Sequence, residues 1–238
     1  MPNKVDKCII CGSNLKYVTQ TDMTEMHSCY FCGKEDRVNI FCPKGHYVCS
    51  ECHSKNAIEI IEDFCADTSL KDPFVIAEKI MKHPKFKMYG PEHHALTPAV
   101  LLTALKNNGI NKPNGSPIIN SDILEGIRRA SKIPGGWCGF YGACGAGIGA
   151  GVAISIFTQA TPSRDRERTF SIEMTSRALH RIADDIEHCC KRSVRLSIIE
   201  ALKYLNEKFD VKLPFHPDCC AFSDENEKCE KQRCPLFS

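Results

Sequence analysis

The chain has 238 residues, 42% of them hydrophobic, which is enough to bury a core and excludes a disordered or low-complexity protein. Its 31 Lys and Arg nearly balance 29 Asp and Glu, so no overall field draws it to nucleic acid or to an anionic membrane surface. Sixteen cysteines exceed what a core needs, and the N-terminal MPNKVDK has neither an apolar segment nor a small-residue cleavage site, so the cytosol is the expected compartment and metal binding or thiol chemistry the expected use of the sulfur.

Four ligand pairs come first: Cys8/Cys11, Cys29/Cys32, Cys42/His46 and Cys49/Cys52. A Cys-x-x-Cys lets two sulfurs of one tight turn reach the same ion, and Zn²⁺ takes four S or N ligands at about 2.0–2.3 Å. Two zinc ions are the expected occupants, with rubredoxin-like iron and a set of disulfides as alternatives. The pairs close either in chain order or cross-braced, as in RING and treble-clef modules. Gly12, Gly33 and Gly45 stand where zinc knuckles need positive φ and backbone N–H groups aimed at sulfur. His53, next to Cys52, reads as an exposed or helix-capping residue. So small a module cannot bury enough apolar surface to fold alone, and metal would supply most of its stability.

After Cys52 the periodicity turns helical. Ser54 is the expected N-cap of a helix carrying Ile58, Ile61 and Phe64, with Cys65 as a core thiol, and Asp72-Pro73 reads as N-cap and first residue of a second helix. Glu92-His93-His94 is expected in a turn before a helix that starts at Thr97-Pro98, where a carboxylate and two imidazoles can face a metal or act as an acid/base set. Ser121 caps a further helix, and Ser163 or Thr161 opens a long one. No charge occurs from Ile133 through Ser163, but the apolar stretch from Ala143 to Phe157 is mostly Gly and Ala and too short for a bilayer, so a buried, close-packed helix is expected and no membrane contact. The expected fold is mainly α: a two-zinc module of treble-clef, RING-like or zinc-ribbon type at 1–53, and a helical Cys-rich domain at 54–238 with a Cys-bearing tail at 211–238.

Eight more cysteines follow Cys65: Cys138, Cys144, Cys189, Cys190, Cys219, Cys220, Cys229 and Cys234. Cys144 and Cys190 both fall at expected helix N-termini, where the dipole and orphan N–H groups favour a thiolate, and Lys191, Arg192 and Arg195 add positive charge beside Cys190. These two are candidate reactive thiolates, together with Glu92, His93 and His94 as candidate catalytic groups. All eight are candidate ligands of a second centre, either an iron–sulfur cluster, a third zinc or a free thiol pair. The GxGxxA spelled from Gly145 to Ala150 lacks a preceding strand and reads as small-residue helix packing rather than a dinucleotide site. Trp137, Phe140 and Tyr141 either shield a cofactor or anchor the core.

From MYGPEHHALTPAVLLTALKN through KIPGGWCGFYGACGAGIGAGVAISIFTQATP to HCCKRSVRLSIIEALKYLNEKF and the tail, the sequence resembles the uncharacterised family labelled domain of unknown function 5714, over nearly all of residues 29–238. The resemblance implies proteins of methanogenic archaea and anaerobic bacteria, some fused to methyltransferase domains, and it implies no established activity.

The expected function is that of a cytosolic anaerobic metalloprotein in redox or sulfur transfer, with a thiol or iron–sulfur site built from the second cysteine set and a redox or sulfur-transfer partner, a methyltransferase among the possibilities. The alternative is a zinc-stabilised adaptor for RNA or a protein, using Lys4, Lys7, Lys16, Lys34, Arg37 and Lys44 interleaved with Tyr17, Tyr30 and Phe31.

Overall fold

The computed structural model describes residues 7–8, 10–18, 25–38, 40–49, 52 and 56–237. The front of the chain holds two short antiparallel ribbons, β1 (Lys16–Tyr17) with β4 (Ile40–Phe41) and β2 (Met26–Ser28) with β3 (Glu35–Arg37). Eight helices follow among the described residues: α1 (Ala57–Asp67), α2 (Pro73–Met81), α3 (Glu92–Asn107), α4 (Asn120–Ala130), α5 (Trp137–Phe140), α6 (Gly145–Thr158), α7 (Asp165–Ile182) and α8 (Cys190–Phe209). The mainly helical class with a ligand-bearing front is the one the sequence predicts.

Local chemistry sets most of the helix ends. Asn56 caps α1 by accepting the Ile58 and Glu59 N–H groups while Glu59 accepts the Asn56 N–H, a reciprocal capping box; the expected cap Ser54, like His53, lies outside the described residues. Asp72 caps α2 ahead of Pro73, as its sequence predicts. Asp122 accepts the Ile119 N–H, and α4 starts at Asn120 with Ile119 as its N-cap, two residues before the expected cap Ser121, which lies inside the helix.

α7 begins at Asp165 with Arg164 at its N-cap, not the expected Ser163 or Thr161, and α3 differs more. α3 begins at Glu92, not at Thr97, and Pro98 lies inside it, so Glu92, His93 and His94 form its first turn. Pro98 has no N–H for the His94 carbonyl, and α6 takes advantage of that bare backbone. A Cβ on Gly149 would stand 2.7 Å from the His94 carbonyl oxygen, and one on Gly145 would overlap the His94 ring. Glycine at these two positions lets α6 lie against α3 with no side chain between them.

α3 is the axis of the body. Its residues from His93 to Leu105 are all buried, and α1, α2, α4, α6 and α8 pack around it while α7 lies against α6 and α8. Inside this apolar shell Arg195 of α8 makes a bidentate pair with Glu78 of α2, at 2.5 and 2.7 Å, its guanidinium stacked on Phe74 and Phe222. The tail from Val211 is irregular, apart from a 3-10 turn at Lys231–Arg233, and is tied to the body. Asp72 accepts the His216 backbone N–H at 2.6 Å, and Tyr89 donates to the Asn226 side chain at 2.7 Å. The front is tied as well: His83 of the body donates to the Cys52 carbonyl at 2.9 Å, and its ring packs on Phe31.

Removing one partner of the Glu78–Arg195 pair strands the other charge in the interior, where a broken buried pair costs about 3–5 kcal/mol. Arg195→Met should lower the unfolding free energy by that amount in urea titrations at fixed zinc, whereas Glu78→Met combined with Arg195→Met should recover most of the loss.

Candidate functional site

The eight front ligands form two donor sets. One comprises Cys8, Cys11, Cys42 and His46, the other Cys29, Cys32, Cys49 and Cys52, and in each set the donor atoms all lie within 4.8 Å of one another. First pair joins third and second joins fourth, so of the two expected arrangements the chain adopts the cross-brace. Cys11 and Cys42 sulfurs are 3.6 Å apart, Cys32 and Cys49 sulfurs 3.7 Å, and the Cys8 sulfur is 3.8 Å from His46 Nδ1. Four ligands at about 2.3 Å from one tetrahedral ion stand roughly 3.8 Å from each other, whereas a disulfide holds its sulfurs about 2.05 Å apart. Every described cysteine is free, which sets aside the disulfide alternative.

The backbone prepares these sets for a charged occupant. Lys44 N–H points at the Cys42 sulfur, Cys49 N–H at Cys29 and Cys52 N–H at Cys49, each at 3.4–3.5 Å. Gly12 and Gly33 close the first turns at φ of 68° and 72°, donating to the Cys8 and Cys29 carbonyls. Both sets therefore fit a tetrahedral ion such as Zn²⁺, one as Cys₃His and one as Cys₄.

The later cysteines separate into two regions. Cys138, Cys144 and Cys190 line one cavity of about 220 Å³ together with His93, His94 and His188, although the three come from different segments. The cavity lies where three helices begin: the Tyr89–Glu92 turn leads into α3, the Gly135–Cys144 loop into α6, and His188–Cys189 into α8. Cys189 caps α8, its sulfur accepting the Arg192 N–H at 3.4 Å, and it faces away from the cavity toward Cys220 and Arg195. Cys219, Cys220, Cys229 and Cys234 are in the tail and do not line the cavity, and among the described residues no third set of three donors lies within 4.8 Å. The eight sulfurs do not gather around one ion.

Within the cavity the polar atoms are specifically oriented. His188 Nε2 is 3.5 Å from the Cys190 sulfur and 4.0 Å from the exposed Cys138 sulfur, with its ring beside Tyr89. His93 Nδ1 donates to the Gly90 carbonyl at 3.0 Å and His94 Nδ1 to the Ile133 carbonyl at 3.0 Å, which fixes both tautomers and leaves each Nε2 as a bare acceptor. Burial, reinforced by the Lys191 charge, takes His93 down to about 3, and burial lowers His94. Both rings are neutral at physiological pH. Glu92, whose carboxyl burial raises, folds back toward His93 Nδ1 and does not line the cavity.

Cys190 departs from the sequence expectation of a depressed thiol pKa. Burial pushes it up to about 12, with the Gly90 N–H at its sulfur as the main opposing influence. The three cations expected to stabilise its thiolate serve other partners. Lys191 reaches the Met81 carbonyl, Arg192 reaches Asp184 and the Ile186 carbonyl, and Arg195 pairs with Glu78. Spacing along a helix put those charges within a turn of the sulfur, but successive residues point to different faces. Of the three aromatic residues only Trp137 packs against the core; Phe140 and Tyr141 are exposed. His188 was not singled out by its sequence, and its one signal is that it directly precedes the Cys189-Cys190 doublet.

A model of a family of unknown function (DUF5714) matches residues 61–237, which covers the cavity and begins inside α1, after the front ligand sets. No curated protein and no solved structure matches the chain. No helix among the described residues is long and apolar enough to cross a membrane.

The cross-brace predicts the metal content. Elemental analysis should find two zinc ions per chain and about one in Cys42→Ser, and a strong chelator should unfold the front while far-ultraviolet circular dichroism retains most of the helix signal of α1–α8.

Proposed function

The chain belongs to the family of unknown function DUF5714, and we propose that it acts through thiol chemistry at the cavity, as a sulfur-transfer protein in which Cys190 carries the sulfur. The observation that carries the reading is the His188 imidazole placed 3.5 Å from the Cys190 sulfur, in a cavity shared with Cys138 and Cys144. A thiol raised by burial is inert alone, and a neutral imidazole at hydrogen-bond distance is the group that activates it. The Cys190 S–H gives its proton to His188 Nε2, and the thiolate, held by the Gly90 N–H and the start of α8, attacks the outer sulfur of a persulfide R–S–SH. A bond forms between the Cys190 sulfur and that outer sulfur to give the Cys190 persulfide, the S–S bond of the donor breaks, the leaving group departs as R–S⁻, and His188 returns the proton to give R–SH. No net oxidation occurs in this step. Cys138 and Cys144 are then positioned as the next sulfurs to receive or release the sulfane atom.

The front donor sets act in this reading as a metal-held scaffold docked through His83, just past the end of α2. The adaptor alternative has less to support it, since the rings of Tyr30 and Phe31 that would stack on bases pack against Lys79 and His83 of the body. An iron–sulfur centre from the tail cysteines has less as well, because those sulfurs do not gather with the cavity ones.

Exposure of the reduced chain to a sulfane-sulfur donor, followed by mass spectrometry, should find the persulfide on Cys190, and none there in Cys190→Ser. His188→Gln should slow its formation by about 10²–10⁴-fold at neutral pH, the span of a lost general base. The pH profile carries the sign of the His188 shift. Loss of solvent around the ring, then the Arg192 and Lys228 charges, lower its pKa below the ordinary 6.5, so the basic form persists at that pH and the rate should fall only under more acidic conditions. A rate already halved at pH 6.5 would contradict this assignment.

A further inference from the structure

We propose that the cavity binds a small uncharged persulfide, whose S–H is received by His93 Nε2, and turns away anionic and zwitterionic sulfur donors. The inference rests on the sulfur-transfer reading and specifies its donor.

Three observations carry it. First, His93 has no solvent exposure, lines the cavity, and has an Nε2 without any hydrogen-bond partner. Its Nδ1–H is committed to the Gly90 carbonyl, so Nε2 offers a lone pair and nothing else. An acceptor left dry and unpaired is unfavourable, and a ligand that brings a donor relieves it. Second, no Lys, Arg, Asp or Glu lines the cavity among the described residues. The nearest cations, Lys191, Arg192 and Arg195, are turned to carbonyls and carboxylates elsewhere, and the thiolate formed at Cys190 in the transfer step repels a second anion beside it. A ligand carboxylate would enter with no counter-charge. Third, about 220 Å³ is below the usual range of ligand pockets, roughly 300–1,000 Å³, which leaves room for only a few heavy atoms.

The chemistry agrees with the recognition. The protonated persulfide R–S–SH is the electrophilic form that a thiolate attacks at the outer sulfur, and it is the form that has an S–H to give. A bare acceptor in a cavity without cations selects that form over R–S–S⁻. His93 holds the outer sulfur while His188, 3.5 Å from the Cys190 sulfur, handles the proton, so the two imidazoles have separate tasks. His93 is a positioning residue here, and it takes no proton in the step.

Neutral and anionic alkylating agents of equal size test this on the full reduced, zinc-loaded chain. Iodoacetamide has an N–H donor and no charge; iodoacetate has a carboxylate. With the exposed tail thiol Cys219 as internal reference, the iodoacetamide-to-iodoacetate rate ratio at Cys144 and Cys190, read by peptide mass spectrometry, should exceed that at Cys219 by about tenfold or more, as exclusion of an unpaired charge requires. His93→Phe, which keeps a ring against Phe86, should reduce the excess several-fold and leave Cys219 unchanged, whereas His93→Gln, which restores an acceptor, should retain part of it. Circular dichroism of both variants separates loss of fold from loss of recognition. A ratio at the cavity thiols equal to that at Cys219, or one indifferent to His93→Phe in a folded protein, would overturn the donor assignment alone. If Cys144 and Cys190 react with neither reagent and take no sulfur from a persulfide while Cys219 does, the sulfur-transfer reading falls with it.

Discussion

The backbone of α6 lies closer to α3 than any side chain would permit, and the cavity exists because of that approach. Gly145 and Gly149 leave the His94 ring and carbonyl room, and Pro98 leaves that carbonyl without an intrahelical donor. A methyl group at either glycine would push α6 outward and carry Cys144 away from the imidazoles. The thiol and histidine arrangement thus depends on packing without side chains and owes little to any charge near the sulfurs. The buried Glu78–Arg195 pair then fixes α2 against α8, and with it the direction from which Cys190 enters.

Much of this was legible in the sequence, and the reasons differ by region. The Cys-x-x-Cys turns announced two donor sets because a tight turn constrains both sulfurs at once, yet their cross-bracing is a long-range choice that spacing leaves open. Asp72-Pro73 announced a helix start because both residues act locally. Thr97-Pro98 carried the same signal and misled, since tertiary burial around α3 outweighs the unfavourable internal proline. The stretch from Glu92 to His94 carries a turn signal for the same reason and is helical all the same.

The second cysteine set was legible as unusual and not as a constellation. Cys138, Cys144 and Cys190 meet because α3, α6 and α8 start at one end of the bundle, which no local pattern records. Cys189 and Cys190 are adjacent, but Cys189 is the extended N-cap and Cys190 the first helical residue, so they serve different sides: one caps the helix toward the tail, the other enters the cavity. His188 gained its place from the same turn. The positive charges beside Cys190 point to the wrong pKa direction because proximity in sequence is not proximity of the charged ends, and all three side chains lead to other partners.

The interleaving of the two front donor sets has a consequence for how the protein is made. Cys8 and Cys11 wait for Cys42 and His46, and Cys29 and Cys32 wait for Cys49 and Cys52, so neither set is complete until nearly the whole front has left the ribosome. At ordinary elongation rates that leaves the first sulfurs uncoordinated for several seconds, long enough for a nascent chain to meet oxidants or the wrong ion. Biogenesis of this protein therefore favours a reducing environment with metal at hand during translation.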